Sequence, residues 1–222
     1  MTTIGLIGSG LIGGTVARLA VAAGHEVVLS NSRGPQTLTD LVADLGSRAR
    51  AATRDEAAAA GDIVIVAIPL AAVATVPDGL LAGKPVIDTG NYYPARDGQI
   101  PELDSGELTG SEYLQRHIPD ALVVKCFNNI IFKHLQNLAR PAGAADRSYL
   151  PIAGDDATAK QKVTEFLDSI GYGTVDVGKL SEGWRQQPGT PVCGPPYGTF
   201  EDEKGRPAGE DVIRAALAAA TR

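Results

Sequence analysis

A glycine-rich turn near the start of the chain constrains the fold more than any other feature of the sequence. Residues 8–13, GSGLIG, connect a short apolar segment to a helical pattern over residues 15–23. Gly8 permits a tight turn, Gly10 lets a pyrophosphate approach the backbone, and Gly13 lets the helix pack closely on the strand. The free N–H groups and the positive dipole end of the helix can then hold the diphosphate. In this strand–turn–helix context, the glycine pattern predicts a dinucleotide-binding site.

The end of the second predicted strand indicates which dinucleotide binds. Strand residues 26–30 are followed by Asn31-Ser32-Arg33, at the place where NAD-binding chains carry an Asp or Glu for the ribose 2′-hydroxyl. A carboxylate there would repel a 2′-phosphate. The Arg33 guanidinium instead attracts one, through hydrogen bonds worth roughly 1.5–3 kcal/mol each, with the Asn31 amide and Ser32 hydroxyl beside it. We therefore predict that the cofactor is NADP.

Length and composition limit the class of protein. With 222 residues, of which 44% are hydrophobic, the chain can bury a full core as one α/β domain with at most a small appendage. A net charge of −6 argues against nucleic acid or an anionic membrane as a partner. Cys126 and Cys193 lie far apart, so we expect reduced thiols and no metal site. Because we find no signal-like segment and no long apolar run, we expect a cytoplasmic protein.

Strand and helix patterns alternate along most of the chain, which predicts an α/β Rossmann-type fold with a doubly wound parallel sheet. The almost continuous apolar run at residues 62–69 fits a central parallel strand buried on both faces. We expect residues 1–180 to form the NADP-binding domain. Residues 181–222 should form a small C-terminal extension, in which a Gly/Pro-rich arm (residues 181–209) and a C-terminal helix pack on that domain. The other predicted strands are at residues 3–7, 48–52, 84–88, 121–125, 149–153 and 174–177, and the other helices at 36–45, 54–60, 157–170 and 210–220.

Four loops should form the binding site, because ligands of an open parallel sheet bind at the carboxyl ends of its strands. We expect the backbone of Ile68 and Pro69 to pass along the ribose and nicotinamide of the cofactor. Asn91 and Asn128 could bond a carboxamide or a substrate carbonyl, or could simply cap their loops. Together with the glycine turn, these loops are residues 68–70, 88–94 and 127–130.

No residue is a clear proton donor for hydride transfer to a carbonyl, and we leave the catalytic residue unassigned. The chain has no Ser…Tyr-x-x-x-Lys arrangement and no long helical second half. His25 is expected to be structural, and His117 and His134 to lie on the surface. Tyr92 and Tyr93 could stack on a flat ring or pack as a surface turn. A site without an acid suits hydride transfer to a ring acceptor, where positioning supplies most of the rate.

Several motifs resemble those of the NADPH-dependent coenzyme F420 reductases, and the pattern recurs in the nucleotide domain of the STEAP metalloreductases. They are the glycine turn, Ser32-Arg33, Ala67-Ile68-Pro69, and the Val123-Val124 strand with its polar exit. The resemblance extends to about Leu180. It implies a doubly wound fold, NADP on the glycine turn, and a deazaflavin laid against the nicotinamide for direct hydride transfer. It also implies that NADP contacts Ser9, Gly10, Leu11, Ile12, Ser32, Arg33, Ile68 and Asn91, and that Asn128, Asn129 and Ile130 face the second ring system.

The chain departs from the archaeal reductases at two places and is similar to a bacterial branch of the family. Where those enzymes carry a His-Thr-Ile-Pro-like stretch, this chain has Asn128-Asn129-Ile130-Ile131, and its Pro-rich segment 187–191 has no counterpart. We predict an NADP-dependent oxidoreductase that transfers a hydride between NADP(H) and a small planar acceptor, coenzyme F420 or a flavin. Two alternatives stay open. One is an NADP-binding sensor without turnover, and the other is an imine or carbonyl reductase with Tyr92 or Tyr93 as its acid.

The arm also bears on the oligomeric state. Because the arm, with its aromatic residues Trp184 and Tyr197, is expected to have little core of its own to pack on, a homodimer is predicted. In the alternative arrangement, the arm folds back over its own active site as a lid.

Overall fold

The computed structural model describes residues 2–222 and contains a single eight-stranded sheet over that range. The strands lie in the order β3-β2-β1-β4-β5-β6-β7-β8, and the first six in this order are parallel. The order reverses between β1 and β4, so the predicted doubly wound α/β fold is confirmed. The strands are β1 (Thr3–Ile7), β2 (Glu26–Ser30), β3 (Ala49–Ala51), β4 (Ile63–Val66), β5 (Pro85–Asp88), β6 (Leu122–Lys125), β7 (Tyr149–Gly154) and β8 (Gly173–Gly178).

Helices cover both faces of the sheet. The first begins at Leu11, earlier than predicted, because Gly10 in an extended conformation already forms its N-cap. The predicted helix at 36–45 is instead a 3₁₀ turn, Pro35–Leu38, followed by a shorter α-helix. Two further 3₁₀ segments are Leu70–Thr75 and Leu180–Gln186. The α-helices are α1 (Leu11–Ala22), α2 (Thr39–Leu45), α3 (Arg54–Ala60), α4 (Pro94–Asp97), α5 (Pro101–Asp104), α6 (Gly110–His117), α7 (Phe132–Asn137), α8 (Ala157–Ser169) and α9 (Glu210–Ala218).

Alternate residues of the central strands face two separate hydrophobic clusters. In β4, Ile63 and Ile65 belong to the cluster formed with α1, α7 and α8, whereas Val64 and Val66 belong to the cluster formed with α6. All four residues of this strand are buried. Burial on both faces explains the unbroken apolar run in the sequence, because successive side chains of a strand point to opposite faces.

The last two strands extend the sheet as predicted, but β7 runs antiparallel to β6. An antiparallel neighbour starts at the edge where the previous strand ends, so residues 126–148 stay on the carboxyl side of β6. Strand β8 then pairs with β7 in parallel, through the crossover helix α8. The predicted parallel sheet therefore comprises only six strands, and β7 and β8 run in the opposite direction at one edge.

The arm packs against the body of its own chain. Val192, Tyr197 and Ala208 are completely buried and belong to the main hydrophobic cluster. The 3₁₀ segment Leu180–Gln186 lies across β6 and β7. The premise for a homodimer, an arm without a core to pack on, is therefore wrong, and the homodimer itself stays a prediction.

Within residues 2–222, no helix combines the length and the apolar character that crossing a bilayer requires.

Candidate functional site

A cleft of about 840 Å³ opens at the carboxyl edge of the sheet. Its walls come from the glycine turn, the loops after β4, β5 and β6, and the arm. The structure thus brings together the four loops that the strand-end rule selects. Predicted site residues in its lining are Gly10, Leu11, Ile12, Ile68, Pro69, Asn91, Asn128, Asn129 and Ile130.

The glycine turn has the backbone geometry that a bound diphosphate requires. Gly8 has a φ of 101°, and a Cβ on it would lie 2.3 Å from the Ala67 carbonyl oxygen. A Cβ on Gly13 would lie 2.1 Å from the Gly8 carbonyl oxygen. By contrast, a Cβ on Gly10 would meet nothing within 4 Å. Two glycines are therefore required for packing, whereas Gly10 faces open space where a ligand can approach.

The N-terminus of α1 carries unsatisfied donors beside this space. The helix has no side-chain cap and no acidic residue in its first turn, so its N–H groups and positive dipole are available to an anion. Leu11 is 67% exposed at this position. Ser9 Oγ donates to the Ser30 carbonyl at 2.9 Å, which joins the glycine turn to the end of β2.

The loop after β2 presents Arg33 to solvent. Asn31 shapes this loop, since its Oδ1 accepts from the Arg33 N–H at 3.0 Å and its Nδ2 donates to Thr37 Oγ1 at 2.8 Å. Ser32 and Arg33 are exposed. Within residues 2–222, the Arg33 guanidinium has no carboxylate within ion-pair distance. Asn31 is therefore occupied in holding the loop, while Ser32 and Arg33 are free to meet a phosphate.

A buried ion pair lies beneath the ends of β5 and β6. Lys125 Nζ is 3.1 Å from Asp88 Oδ2, and the two side chains are only 3% and 4% exposed. Lys125 Nζ also donates to the Gly90 carbonyl, while Ser111 Oγ donates to Asp88 Oδ2 at 2.6 Å. The pair thus fixes Gly90, whose backbone lines the cleft. This pair was not predicted from the sequence, although a charged residue at the end of each of two adjacent strands was a signal.

Asn91 and Asn128 bind each other across the cleft floor. Asn91 Nδ2 donates to the Asn128 carbonyl at 2.8 Å, and Asn128 Nδ2 donates to Asn91 Oδ1 at 3.0 Å. Asn128 Nδ2 also lies 2.6 Å from the carbonyl of Gln186 in the arm. The two amides therefore join the loops after β5 and β6, and Asn128 also holds the arm, while both residues line the cleft.

Asn129 anchors the arm as well. Its Nδ2 lies 3.1 Å from the Val192 carbonyl and 3.3 Å from the Tyr197 hydroxyl, and its own carbonyl accepts from the Gly194 N–H at 2.9 Å. The chain can turn from β6 into this contact because Phe127 adopts a φ of 63°, a left-handed conformation that is uncommon for a large residue. The predicted contact of Asn129 with a second ring system competes with this anchoring role.

The two adjacent tyrosines differ in position. The Tyr92 hydroxyl donates to Asp104 Oδ1 at 2.7 Å and accepts from the Ile100 N–H at 2.9 Å. Burial and the Asp104 carboxylate raise its pKa. Tyr92 was predicted to face the substrate, but it packs into the α6 side of the core, whereas Tyr93 lines the cleft.

The histidines lie outside the cleft lining. His25 Nε2 lies 2.8 Å from Ser169 Oγ, and burial lowers its pKa, in keeping with a structural role. The expectation that His134 lies on the surface is wrong. Its ring is fully buried, with Nε2 2.6 Å from the Asp202 carbonyl. The arm covers it, and a Cβ on Gly205 would approach the ring to 2.8 Å.

Both cysteines are free thiols. Cys126 is buried in the core, and Cys193 lines the cleft, where burial raises its pKa to about 11. Over residues 2–222, no group of three or more His, Cys, Asp or Glu side chains could hold a metal ion.

Comparisons with known proteins match the sequence of this chain to NADP oxidoreductases. Residues 3–92 match the sequence profile of the family described as NADP oxidoreductase, coenzyme F420-dependent. Among curated proteins, the chain is 30% identical over 182 residues to metalloreductase STEAP3 of Rattus norvegicus. That match covers 80% of this chain and 34% of the relative, so the chain spans about a third of the length of the curated relatives it matches.

Two solved structures match most of the chain. Hypothetical protein SMa0349 of Sinorhizobium meliloti is 31% identical, with a TM-score of 0.74 over 86% of this chain and 93% of that one. A protein of Arthrobacter sp. FB24, assigned provisionally as an F420-dependent NADP reductase, is 26% identical, with a TM-score of 0.69 over 82% of this chain and 87% of that one.

Proposed function

This chain belongs to the family of coenzyme F420-dependent NADP oxidoreductases, and from that premise we propose that it transfers a hydride between NADP(H) and a planar ring acceptor. Coenzyme F420 is the first candidate for the acceptor, and a flavin is the second. One observation carries the proposal: the open glycine turn at Gly10 faces the same cleft as the strand ends and the arm. A dinucleotide on the turn therefore has a second binding space beside it.

The residues of the turn fit NADP. The unsatisfied N–H groups of α1 receive the diphosphate next to Gly10, where no atom stands in the way. Ser32 and Arg33 lie in the loop that follows β2, where the 2′-phosphate of the adenosine is expected. The exposed guanidinium supplies a planar fork that pairs with phosphate.

The rest of the cleft fits a flat apolar partner. Phe127, Ile130 and Phe132 line it from the β6 side, and Phe200 from the arm. When NADPH is bound, its nicotinamide supplies two electrons and one hydrogen as a hydride, and the acceptor ring takes up the hydride together with one proton from solvent. The chain contributes binding, orientation and exclusion of water, which can supply most of the rate of such a transfer.

The alternative function, an imine or carbonyl reductase, requires an acid, and Tyr93 is the candidate. Tyr93 lines the cleft, and its hydroxyl lies 3.5 Å from Asn91 Nδ2. As a hydride adds to the carbon of an imine or carbonyl substrate, this hydroxyl would protonate the nitrogen or oxygen. This reading predicts that Tyr93→Phe abolishes turnover with such a substrate and leaves NADPH affinity unchanged. The Tyr92 hydroxyl, already engaged by Asp104 and Ile100, is the poorer candidate.

An acceptor panel tests the proposal. The protein is mixed with NADPH and with F420, FMN or FAD separately, and NADPH oxidation is followed by its absorbance. We expect oxidation with at least one of these acceptors, with F420 the fastest. Tight NADPH binding with no oxidation by any of the three would overturn the proposal and favour a sensor without turnover.

A further inference from the structure

Arg96 is a cation at the wall of the cleft, at the end of α4. Of the residues that line the cleft, only Arg96 and Glu201 carry a charge at neutral pH. The Arg96 side chain is 44% exposed. The function proposed above assigns no role to it.

The guanidinium of Arg96 is held rigidly along one edge. Its Nε donates to Asp97 Oδ1 at 2.9 Å and its Nη2 to Asp97 Oδ2 at 2.8 Å. Nη2 also donates to the Asn91 carbonyl at 2.6 Å, and the group lies over the Tyr93 ring, 5.0 Å from its centre. The position of this charge is therefore fixed before any ligand arrives.

Asp97 is itself anchored. Its side chain is fully buried and accepts from the Tyr93 N–H at 3.0 Å and from the Ala71 N–H at 3.4 Å. Burial opposes its ionisation, but the hydrogen bonds from Arg96 and these amides outweigh burial and lower its pKa. The same carboxylate raises the pKa of Arg96. Both groups stay charged at neutral pH.

One nitrogen of the Arg96 guanidinium, Nη1, is uncommitted. Across residues 2–222, Nη1 donates to no protein atom, so its two N–H groups remain available. A residue that only fastened the loop to Asp97 and Asn91 would need the Nε and Nη2 edge alone. The two N–H groups of Nη1, on a half-exposed guanidinium in the cleft wall, can donate charge-assisted hydrogen bonds to a phosphate or carboxylate.

We propose that Arg96 Nη1 binds an acidic group, phosphate or carboxylate, carried by the ring acceptor. The inference rests on the proposed function, because it assumes that the acceptor ring occupies the cleft. It narrows the acceptor class to planar rings that bear an anionic side chain. Arg96 then determines specificity and takes no part in the hydride step.

FMN and riboflavin test the assignment, because they share one ring system and differ by a phosphate. Binding of each is measured by quenching of flavin fluorescence, with NADP⁺ present, for the wild type, Arg96→Gln, Arg96→Lys and Arg116→Gln. Arg116 lies on α6, outside the cleft lining, and its variant controls for net charge. We expect the wild type to bind FMN roughly tenfold more tightly than riboflavin, and Arg96→Gln to remove that preference, as for loss of one charge-assisted hydrogen bond.

Other outcomes overturn the inference. Equal wild-type affinity for the two flavins, or no binding of either, removes the acidic-group site. If Arg96→Gln lowers the affinity for both flavins equally, the residue only stabilises the loop. If it lowers the affinity for NADP⁺ alone, the residue is a cofactor ligand. If Arg96→Gln does not fold, competition by inorganic phosphate against FMN but not riboflavin on the wild type decides instead. If the flavins bind as expected but NADPH is not oxidised in the acceptor panel, the proposed function is refuted and the acidic-group site is not.

Discussion

At the scale of single residues, cofactor choice depends on Arg33, whose exposed guanidinium has no carboxylate partner within residues 2–222. We predict that Arg33→Ala weakens NADPH binding by about 1.5–3 kcal/mol, roughly 10- to 100-fold, because the 2′-phosphate loses its counter-ion. NADH has no such phosphate, so its affinity should change little. Isothermal titration of both cofactors measures the two effects, and Arg116→Ala is the control for net charge. Equal weakening of NADH and NADPH would mean that Arg33 only holds the loop.

The buried ion pair between Asp88 and Lys125 contributes to the stability of the fold. Lys125→Met leaves a buried carboxylate without its cation, so we predict a loss of about 3–5 kcal/mol in the free energy of unfolding. Asp88→Asn in the same chain should recover part of that loss, because no unpaired charge then remains buried. Urea denaturation of the two variants and the wild type gives the comparison. A loss below about 1 kcal/mol for Lys125→Met would show that the pair is not buried as described.

At the scale of elements, different glycines of the glycine turn serve stability and cofactor binding. A Cβ on Gly13 would overlap the Gly8 carbonyl, whereas one on Gly10 meets open space. We predict that Gly13→Ala costs about 1–3 kcal/mol of stability by overpacking. Gly10→Ala should cost less than about 1 kcal/mol, yet weaken NADPH binding by more than about tenfold because the methyl group displaces the diphosphate. If Gly10→Ala binds NADPH normally, the diphosphate does not lie on this turn.

Elements with strong local signals could be predicted from the sequence. Helix α3 begins at Arg54 as expected, because Thr53 and Glu56 form a capping box at its start. The β4 strand followed from its apolar run. The direction of β7 could not be predicted, since it depends on how residues 126–148 pack and not on the strand's own pattern.

The site, like the fold, could be predicted from the sequence only where it does not depend on distant contacts. Parallel strands bring their ends together by topology alone, so the loops of the cleft followed from the sequence. The engagement of Asn128 and Asn129 by the arm was not foreseeable, because it depends on contacts more than 50 residues apart, such as Asn128 with Gln186. The positive φ of Phe127 also carries no sequence signal, since large residues seldom adopt it.

At the scale of the whole molecule, the arm contributes buried side chains to the main hydrophobic cluster. Tyr197 is completely buried and its hydroxyl donates to the Tyr149 carbonyl at 2.7 Å, whereas Phe200 in the same arm is 76% exposed. We predict that Tyr197→Ala lowers the free energy of unfolding by about 3–5 kcal/mol, while Phe200→Ala leaves it within about 0.5 kcal/mol. Thermal or urea unfolding of the intact chain measures both. Similar small losses in the two variants would mean that the arm detaches readily, and light scattering on the same samples tests the predicted homodimer.

The whole arrangement serves one proposed event, the direct passage of a hydride from the nicotinamide to a ring in the cleft. Stereospecifically deuterated NADPH, labelled at C4 in the R or the S position, tests this event with F420, because a deazaflavin ring keeps the transferred atom on carbon. Mass spectrometry of the reduced acceptor should find deuterium from one of the two isomers and not from the other, since a fixed cleft exposes a single face of the nicotinamide. Reduced F420 without deuterium from either isomer, or NADPH left unoxidised by F420, FMN and FAD alike, would contradict direct hydride transfer.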